Sequence, residues 1–246
     1  MRLLVLFAFT LDAADWLNEG GTRNVQPLER ELIPASVPGL KLLWKLRLGE
    51  GAALSSPIIM GRLITYRGTL ELIFVASSDG HVYAVDGDFG KLFWTRKLDF
   101  TATKCVVPAT PALTPNPTGA DPDDDGEQPP RPLYVQAPDA MVHSLNPING
   151  KDGAPAKATS CAAAWVVKNG TAKPLKPNRH AVIAGAVAFT LAQETGELQA
   201  FNALTKKTLF KSGPSSPTKS AIAIANGHVC FTAANDLYCY GFPLEH

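Results

Sequence analysis

The sequence predicts an all-β protein built from the repeated four-stranded blades of a β-propeller. Its 246 residues include 20 Gly and 20 Pro, and these residues separate short apolar runs in the way that turns separate strands. A unit of strand, turn, strand, turn and strand recurs along the chain. No segment keeps the 3.6-residue spacing of apolar residues that a helix shows over three turns. These observations together favour short antiparallel strands over helices.

The repeat is clearest at residues 82–94, VYAVDGDFGKLFW. An alternating strand leads there to an acidic turn residue, a Gly-Lys pair and a closing Trp. Similar stretches occupy residues 142–154, 198–210 and, shortened, 237–242, at intervals of about 40 to 60 residues. A candidate strand precedes each copy, and a further one starts after a breaker residue upstream. Four strands in each of four units predict a propeller of about four blades.

A set of four blades can be completed in two ways. The chain can form a small or partial ring in which residues 3–11 complete the last blade, or two chains can associate as a homodimer to make a full ring. An open fan would expose strand edges, which propellers avoid by closure. We therefore expect either a homodimer or an N-terminal closing strand.

The chain is predicted to have one principal domain, residues 15–243. Residues 116–132 are polar and Pro-rich, and residues 168–180 are basic and contain Pro, so both are predicted to be inserted surface loops. Residues 1–14 combine one Arg, an apolar run and small residues, which is typical of a secretion signal and also fits a closing core strand. Residues 244–246 resemble the start of a vector-encoded histidine tag.

The overall charge argues against a nucleic-acid partner. The net charge is +1, with 46% hydrophobic and 18% charged residues, whereas phosphate backbones attract clustered Lys and Arg. The apolar run of residues 3–11 is too short to cross a bilayer. The sequence therefore predicts no nucleic-acid partner and no membrane span.

The four cysteines lack the CxxC spacing of a zinc site. If residues 234–235 form a two-residue turn, Cys230 and Cys239 face each other across a hairpin, where side chains approach closely. This pair is predicted to be either a cross-strand disulfide or two buried thiols on the same face of the sheet.

One local metal motif is present in the acidic insertion. Asp121, Asp123 and Asp125 follow the pattern D-x-D-x-D-G, in which alternate carboxylates converge on a hard cation such as Ca²⁺. The twelfth position, where an EF-hand has a bidentate Glu, is Pro132. The motif therefore indicates a calcium candidate without its closing ligand, and a solvated acidic loop is the alternative.

One repeat resembles a known family. Residues 84–94 carry the pattern Ala84-x-Asp86-x-x-x-Gly90-Lys91-x-x-Trp94, which resembles the tryptophan-docking repeat of pyrroloquinoline-quinone (PQQ) β-propellers, the quinoprotein alcohol dehydrogenases. Residues 15–48 also look like the entry to such chains, with GLKLLWKL leading into the first blade. In that family the Trp packs against the neighbouring blade. The resemblance therefore implies structural docking roles for Trp44, Trp94 and Phe210.

The same resemblance implies PQQ and Ca²⁺ as cofactors, oxidation of alcohols or sugars, and a periplasmic or extracellular location. The chain departs from the family in several respects. It has no adjacent cysteine pair, Phe89 replaces a Thr of the repeat, and its units amount to about half of a complete quinoprotein ring. No carboxylate matches the family's calcium ligands or its catalytic base, so we predict no catalytic residue.

Two functions are consistent with these features. The first is a secreted quinoprotein-like oxidoreductase that is incomplete for catalysis by itself. The second is a non-catalytic propeller that binds a protein or polysaccharide partner through the loops at residues 116–132 and 168–180. A hydrolase or lyase on the same scaffold would need a nucleophile or acid–base group, and the sequence contains no such constellation.

Overall fold

The computed structural model describes residues 15–19, 24–65, 68–114, 131–168, 171–176, 181–213 and 215–243. Within these ranges the regular structure is β-sheet apart from a three-residue 3-10 helix at Val37–Gly39. For the described residues the prediction of an all-β fold is confirmed. None of the described helical structure is long or apolar enough to cross a membrane.

The described strands are short and follow one another closely along the chain. They are β1 (Val25–Gln26), β2 (Lys41–Arg47), β3 (Ile58–Thr65), β4 (Gly68–Ala76), β5 (His81–Asp86), β6 (Leu92–Lys97), β7 (Ala112–Leu113), β8 (Leu133–Gln136), β9 (Met141–Leu145), β10 (Lys157–Ala158), β11 (Ala164–Lys168), β12 (Thr171–Leu175), β13 (Val182–Ala184), β14 (Val187–Ala192), β15 (Glu197–Asn202), β16 (Thr208–Lys211), β17 (Ala223–Ala225), β18 (His228–Ala233) and β19 (Asp236–Gly241).

These strands form four larger sheets, here called blades, and one separate hairpin. Blade 1 contains β3 to β6, blade 2 contains β7 to β10, and blade 3 contains β13 to β16 with β1 added parallel to β13. Blade 4 contains β17 to β19 and β2, and β11 pairs with β12 as the hairpin. Consecutive strands within each blade are antiparallel, as the alternating sequence pattern predicts. Short turns join most of them, whereas longer segments separate β7 from β8 and β9 from β10.

The same turn joins the third and fourth strands of blades 1, 2 and 3. In blade 1 the Asp86 carboxylate accepts the backbone N–H groups two and three residues later, at 3.0 and 3.2 Å. Asn146 and Asn202 accept backbone N–H groups from the same position in blades 2 and 3. Four residues after each of these side chains φ is positive, at Gly90 (62°) in blade 1 and at Lys206 (60°) in blade 3. In blades 1 and 3 this turn leads directly into the fourth strand, whereas β10 of blade 2 begins only at Lys157.

The blades pack side by side in the order 3, 4, 1, 2, followed by the hairpin. One core joins blades 3, 4 and 1 and includes Phe189, Phe231 and Ile73. The opposite face of blade 1, which includes Phe74, packs on blade 2. Blade 2 in turn packs on the hairpin through Trp165. Both faces of blade 1 are therefore covered, because side chains alternate between the two faces of each strand.

Blade 4 is completed by a strand from a distant part of the chain. β2 pairs antiparallel with β19, and Trp44 lies opposite Cys239. The expectation that GLKLLWKL leads into the first blade is therefore wrong, because this segment forms the outer strand of blade 4. The pairing satisfies backbone groups of β19 that would otherwise lie at an open edge. Residues 3–11, the other expected closing strand, lie outside the described residues.

The predicted loop at residues 168–180 is partly a strand. β11 and β12 pair in register from Ala164 opposite Leu175 to Lys168 opposite Thr171. Pro174 is tolerated because it lies in an outer strand of a two-stranded sheet. The hairpin has two strands instead of four, and the described part of the chain forms no closed ring. The number of blades in a complete ring therefore stays a prediction.

Candidate functional site

Two tryptophans fill the junctions on either side of blade 1. Trp44, on β2 of blade 4, donates its indole N–H to a backbone carbonyl oxygen in the last turn of blade 1 at 2.8 Å, and its ring covers Gly90. Trp94, on β6, repeats the arrangement against blade 2: its N–H donates to the Pro147 carbonyl oxygen at 2.8 Å, and its ring covers Gly150. A Cβ at either glycine would collide with the indole ring. These glycines therefore provide close approach as well as positive φ.

The other two junctions have no such tryptophan. Blade 3 presents Phe210 to blade 4, where its ring makes an edge contact with Tyr240 at 5.9 Å between centroids. A phenyl ring has no N–H to donate to the neighbouring blade. Blade 2 has Ala154 at the equivalent position, four residues after its turn glycine, Gly150. A cavity lies at each of these two junctions.

The cavity between blades 3 and 4 is an open groove of about 640 Å³. We call it the lysine groove because its walls include three lysines together with three aromatic residues: Lys41, Lys45, Lys211, Phe210, Tyr238 and Tyr240. Three serines from the segment after β16 also line it. The groove therefore combines positive charge, aromatic surface and hydroxyl groups.

Two lysines of the lysine groove, Lys45 and Lys211, form ion pairs with acidic side chains. Lys45 Nζ lies 2.9 Å from Asp236 and 5.0 Å from the centroid of the Tyr238 ring. The hydrogen bond to Asp236 is the main reason why the pKa of Lys45 is raised above its ordinary value. Lys211 Nζ lies 3.2 Å from Glu197. These pairs orient the ammonium groups of Lys45 and Lys211.

The cavity between blade 2 and the hairpin is smaller and more enclosed. It has a volume of about 290 Å³, and we call it the blade 2 slot. Tyr134 and Val142 form its wall on blade 2, Trp165 forms its wall on the hairpin, and Ala154 and Lys157 line it from the segment at the end of blade 2. The slot is thus mainly apolar with one cationic side chain.

A buried ion pair links blade 1 to blade 4. His228 Nδ1 lies 2.7 Å from Glu71 Oε1, and the Asn226 side-chain amide donates to Glu71 Oε2 at 2.6 Å. Burial lowers the pKa of His228, but the hydrogen bond to Glu71 and the nearby charges of Glu71, Asp88 and Glu31 outweigh this effect and raise the pKa above its ordinary value. When the imidazole is protonated, its positive charge therefore stabilises this blade contact.

Both disulfides of the structure connect parts of this framework. Cys230 and Cys239 are bonded directly across the β18–β19 hairpin, with Cα atoms 4.2 Å apart, and Ala234 and Asn235 form the two-residue turn. A second disulfide joins Cys105 to Cys161, with Cα atoms 5.5 Å apart. Because Cys105 follows blade 1 and Cys161 precedes the hairpin, this bond encloses blade 2.

The described residues do not fit the calcium-bound quinone that the family resemblance implies. Such a site needs several carboxylate or carbonyl oxygens converging on one cation. In the described ranges no group of three or more His, Cys, Asp or Glu side chains could hold a metal ion. The three predicted ligands, Asp121, Asp123 and Asp125, lie outside the described residues. We therefore derive no catalytic step through PQQ or Ca²⁺.

Sequence reasoning identified the aromatic positions of the blades but missed both cavities. The signal for them was present in the repeat itself, because Ala154 and Phe210 replace the Trp of the clearest copy. The Glu71–His228 pair had no such signal, since its members are 157 residues apart and belong to strands of different blades, β4 and β18.

Comparisons with known proteins give structural neighbours at low similarity. No family model matches the chain, and no curated protein sequence is significantly similar to it. Among solved structures, the quinohemoprotein alcohol dehydrogenase from Comamonas testosteroni is 16% identical with a TM-score of 0.42, over 81% of this chain and 27% of that chain. A europium-containing methanol dehydrogenase is 15% identical with a TM-score of 0.42, over 83% of this chain and 32% of that chain.

A third neighbour differs from the dehydrogenases in how much of it is matched. BamB from Moraxella catarrhalis is 12% identical with a TM-score of 0.26, over 84% of this chain and 99% of that chain. The region matched in the two dehydrogenases, by contrast, spans about a third of their length or less. The chain is thus similar to these three proteins at 12 to 16% sequence identity.

Proposed function

We propose that the chain is a secreted, PQQ-like propeller domain that binds an anionic polysaccharide in the lysine groove. The observation that carries the proposal is the groove itself, a cavity of about 640 Å³ in which Lys41, Lys45 and Lys211 accompany three aromatic residues. Clefts of this size, with a few well-placed polar groups, are the usual form of ligand sites.

The chemistry of the groove suits acidic sugars. Ammonium groups attract carboxylates, and this attraction supplies both specificity and rate of association. Tyr238 and Tyr240 offer apolar ring surface together with a polar hydroxyl end. The serines at positions 212, 215 and 216 add hydroxyl groups along the same wall. A flexible uronic-acid polymer presents the matching carboxylates, apolar ring faces and hydroxyl groups.

Secretion is supported by the two disulfides. All four cysteines are paired, and disulfides persist in oxidising compartments such as the periplasm or the extracellular space. A polysaccharide partner belongs to the same compartments. The proposed location is therefore periplasmic or extracellular.

The proposal is tested by titrating the protein with alginate, a polyuronate, and with neutral dextran, in isothermal titration calorimetry. Alginate is expected to bind saturably and dextran is not, and raising the salt from about 50 to about 500 mM should weaken the binding because the charges are partly exposed. The double variant Lys41→Gln/Lys211→Gln should lose about tenfold in affinity, or about 1.4 kcal/mol.

A matched control removes the same charge elsewhere. Lys104 and Lys206 are exposed and lie outside the groove, so Lys104→Gln/Lys206→Gln should leave alginate binding unchanged. Equal losses in both double variants, or equal binding of dextran, would reject the groove as a specific site.

A second arm of the experiment addresses redox function. PQQ with Ca²⁺ is titrated into the protein while Trp fluorescence is followed, with dye reduction by alcohols and sugars measured in parallel. We expect no saturable quenching at tens of micromolar PQQ, a range in which a cofactor site with an affinity of about −7 kcal/mol would fill. Calcium-dependent quenching with turnover would replace the binding function with a quinoprotein function.

A further inference from the structure

The blade 2 slot lies where a docking tryptophan lies in blade 1. In blade 1, Phe74 is paired with Ala84, and Ala84 is paired with Trp94. In blade 2, Tyr134 is paired with Ser144, and the position equivalent to Trp94 is Ala154. Tyr134 and Ser144 therefore occupy in blade 2 the positions that Phe74 and Ala84 occupy in blade 1, but blade 2 lacks the indole that covers them.

The junction between blades 1 and 2, which Trp94 fills, shows which chemical groups fit at this position. Between blades 1 and 2 the Trp94 ring contacts Phe74 at 6.0 Å between centroids and covers Gly150, while its N–H is bonded to a carbonyl oxygen. Between blade 2 and the hairpin, Ala154 leaves a cavity of about 290 Å³. This volume is close to the lower end of the range for small-molecule sites. A bicyclic ring of indole size is therefore a suitable occupant.

The rest of the lining adds one requirement for a ligand. Lys157 lines the slot and is exposed to solvent. An occupant that carries a carboxylate would place a negative charge beside this ammonium group in a mainly apolar site.

We propose that the blade 2 slot binds a small aromatic acid with one indole-sized ring, the ring between Tyr134 and Trp165 and the carboxylate near Lys157. This site is separate from the lysine groove and does not depend on the polysaccharide function. It uses the volume that a docking tryptophan fills at the junction between blades 1 and 2.

The test is a titration of the ¹⁵N-labelled full chain with indole-3-acetate, followed by NMR. The four tryptophans give four indole N–H signals, and the Trp165 signal is assigned with the variant Trp165→Phe. We expect the Trp165 signal to shift saturably, with a Kd on the order of 0.1 mM for a ligand of this size. The Trp44 signal, at a junction remote from the slot, should not move.

Variants on two walls of the slot locate the binding. Ala154→Trp supplies the missing indole from the chain itself and should weaken binding at least tenfold. Ala102→Trp is the matched control, because Ala102 is exposed and does not line the slot, and it should bind like the unmodified protein. If Ala154→Trp does not fold, Ala172→Phe narrows the slot from the hairpin side and should weaken binding in the same way.

A comparison of two ligands, indole and indole-3-acetate, tests whether the slot recognises the carboxylate. Indole without the acid should bind about fivefold more weakly than indole-3-acetate, as expected for one solvent-exposed ion pair, and Lys157→Gln should remove this preference. Absence of saturable shifts at millimolar ligand, or unchanged binding by both folded slot variants, would overturn the site. Equal binding of indole and indole-3-acetate to the unmodified protein would overturn the assignment of the carboxylate to Lys157.

Discussion

The imidazole of His228 lies between blades 1 and 4, and its pKa is raised above its ordinary value. Its Nδ1 lies 2.7 Å from Glu71, its side chain is 12% exposed, and the charges of Asp88 and Glu31 are also close enough to favour protonation. Since a raised pKa in the folded state means that folding takes up protons, this contact makes stability depend on pH.

The sign of the dependence follows from the direction of the shift. Below pH 6.5, the ordinary pKa of the group, His228 is protonated in both states and the full stabilisation is present. As the pH rises through the higher folded-state pKa, the stabilisation is lost. The difference in unfolding free energy between the unmodified protein and His228→Gln, measured by urea titration from about pH 6 to about pH 9, should therefore shrink.

Glu71→Gln is the control for this prediction. It removes the partner that contributes most to raising the pKa of His228, so the pH dependence should be reduced along with the stability itself. A difference between the unmodified protein and His228→Gln that stays constant over the whole pH range would show that the ion pair is not the source.

At the scale of elements, Trp44 and Trp94 join blade 1 to its two neighbours. Each indole ring packs on a turn of the adjacent blade. Trp94 combines ring packing on Gly150 with an N–H···O bond of 2.8 Å to blade 2. Trp94→Ala removes both and should lower the unfolding free energy by about 3 kcal/mol, the lower part of the range for large aromatic residues because Trp94 is only partly buried. Trp94→Phe keeps a ring but loses the hydrogen bond, and should cost about 1 kcal/mol.

The exposed aromatic residue of the same blade provides the comparison. Phe89 is 59% exposed, so Phe89→Ala should change the unfolding free energy by less than about 0.5 kcal/mol. Urea titration of the three variants measures all of these differences. A Trp94→Ala variant as stable as Phe89→Ala would mean that the docking contact does not hold blades 1 and 2 together.

What the sequence predicts about these elements depends on how local the cause is. The turn that starts at Asp86 and its relation to Trp94 are predictable, because an Asx side chain, a glycine with positive φ and a following strand act within nine residues. The pairing of β2 with β19, and the Cys105–Cys161 bond, join segments far apart in the chain. No periodicity or turn residue specifies such partners, since they are chosen by packing in the folded state.

At the scale of the whole molecule, the series of blades has a tightly joined centre and open ends. Junctions with tryptophan flank blade 1, whereas the junctions of blade 3 and of the hairpin with their neighbours contain cavities. In blade 3, Val182 and Ala184 face the shared core, so the intervening Ile183 faces away from blade 4. Its pairing partner Val25 is exposed as well.

This exposed face of blade 3 is where a ring would continue. Ile183 is 38% and Val25 is 37% exposed, and together they form an apolar pair on a terminal blade. Propellers cover such faces by closing the ring, and a second copy of the chain offers the same kind of blade surface. We therefore expect a homodimer, with a native mass twice that of one chain, in light scattering after size-exclusion chromatography.

Ile183→Lys should shift the protein to the monomer, because a charge at an apolar contact must be desolvated without a partner. Leu204→Lys, an equally large change at a residue that is 86% exposed on a turn of the same blade, should leave the mass unchanged. A monomer at every concentration tested would instead mean that the open fan is stable alone, with the contacts around blade 1 supplying its cohesion.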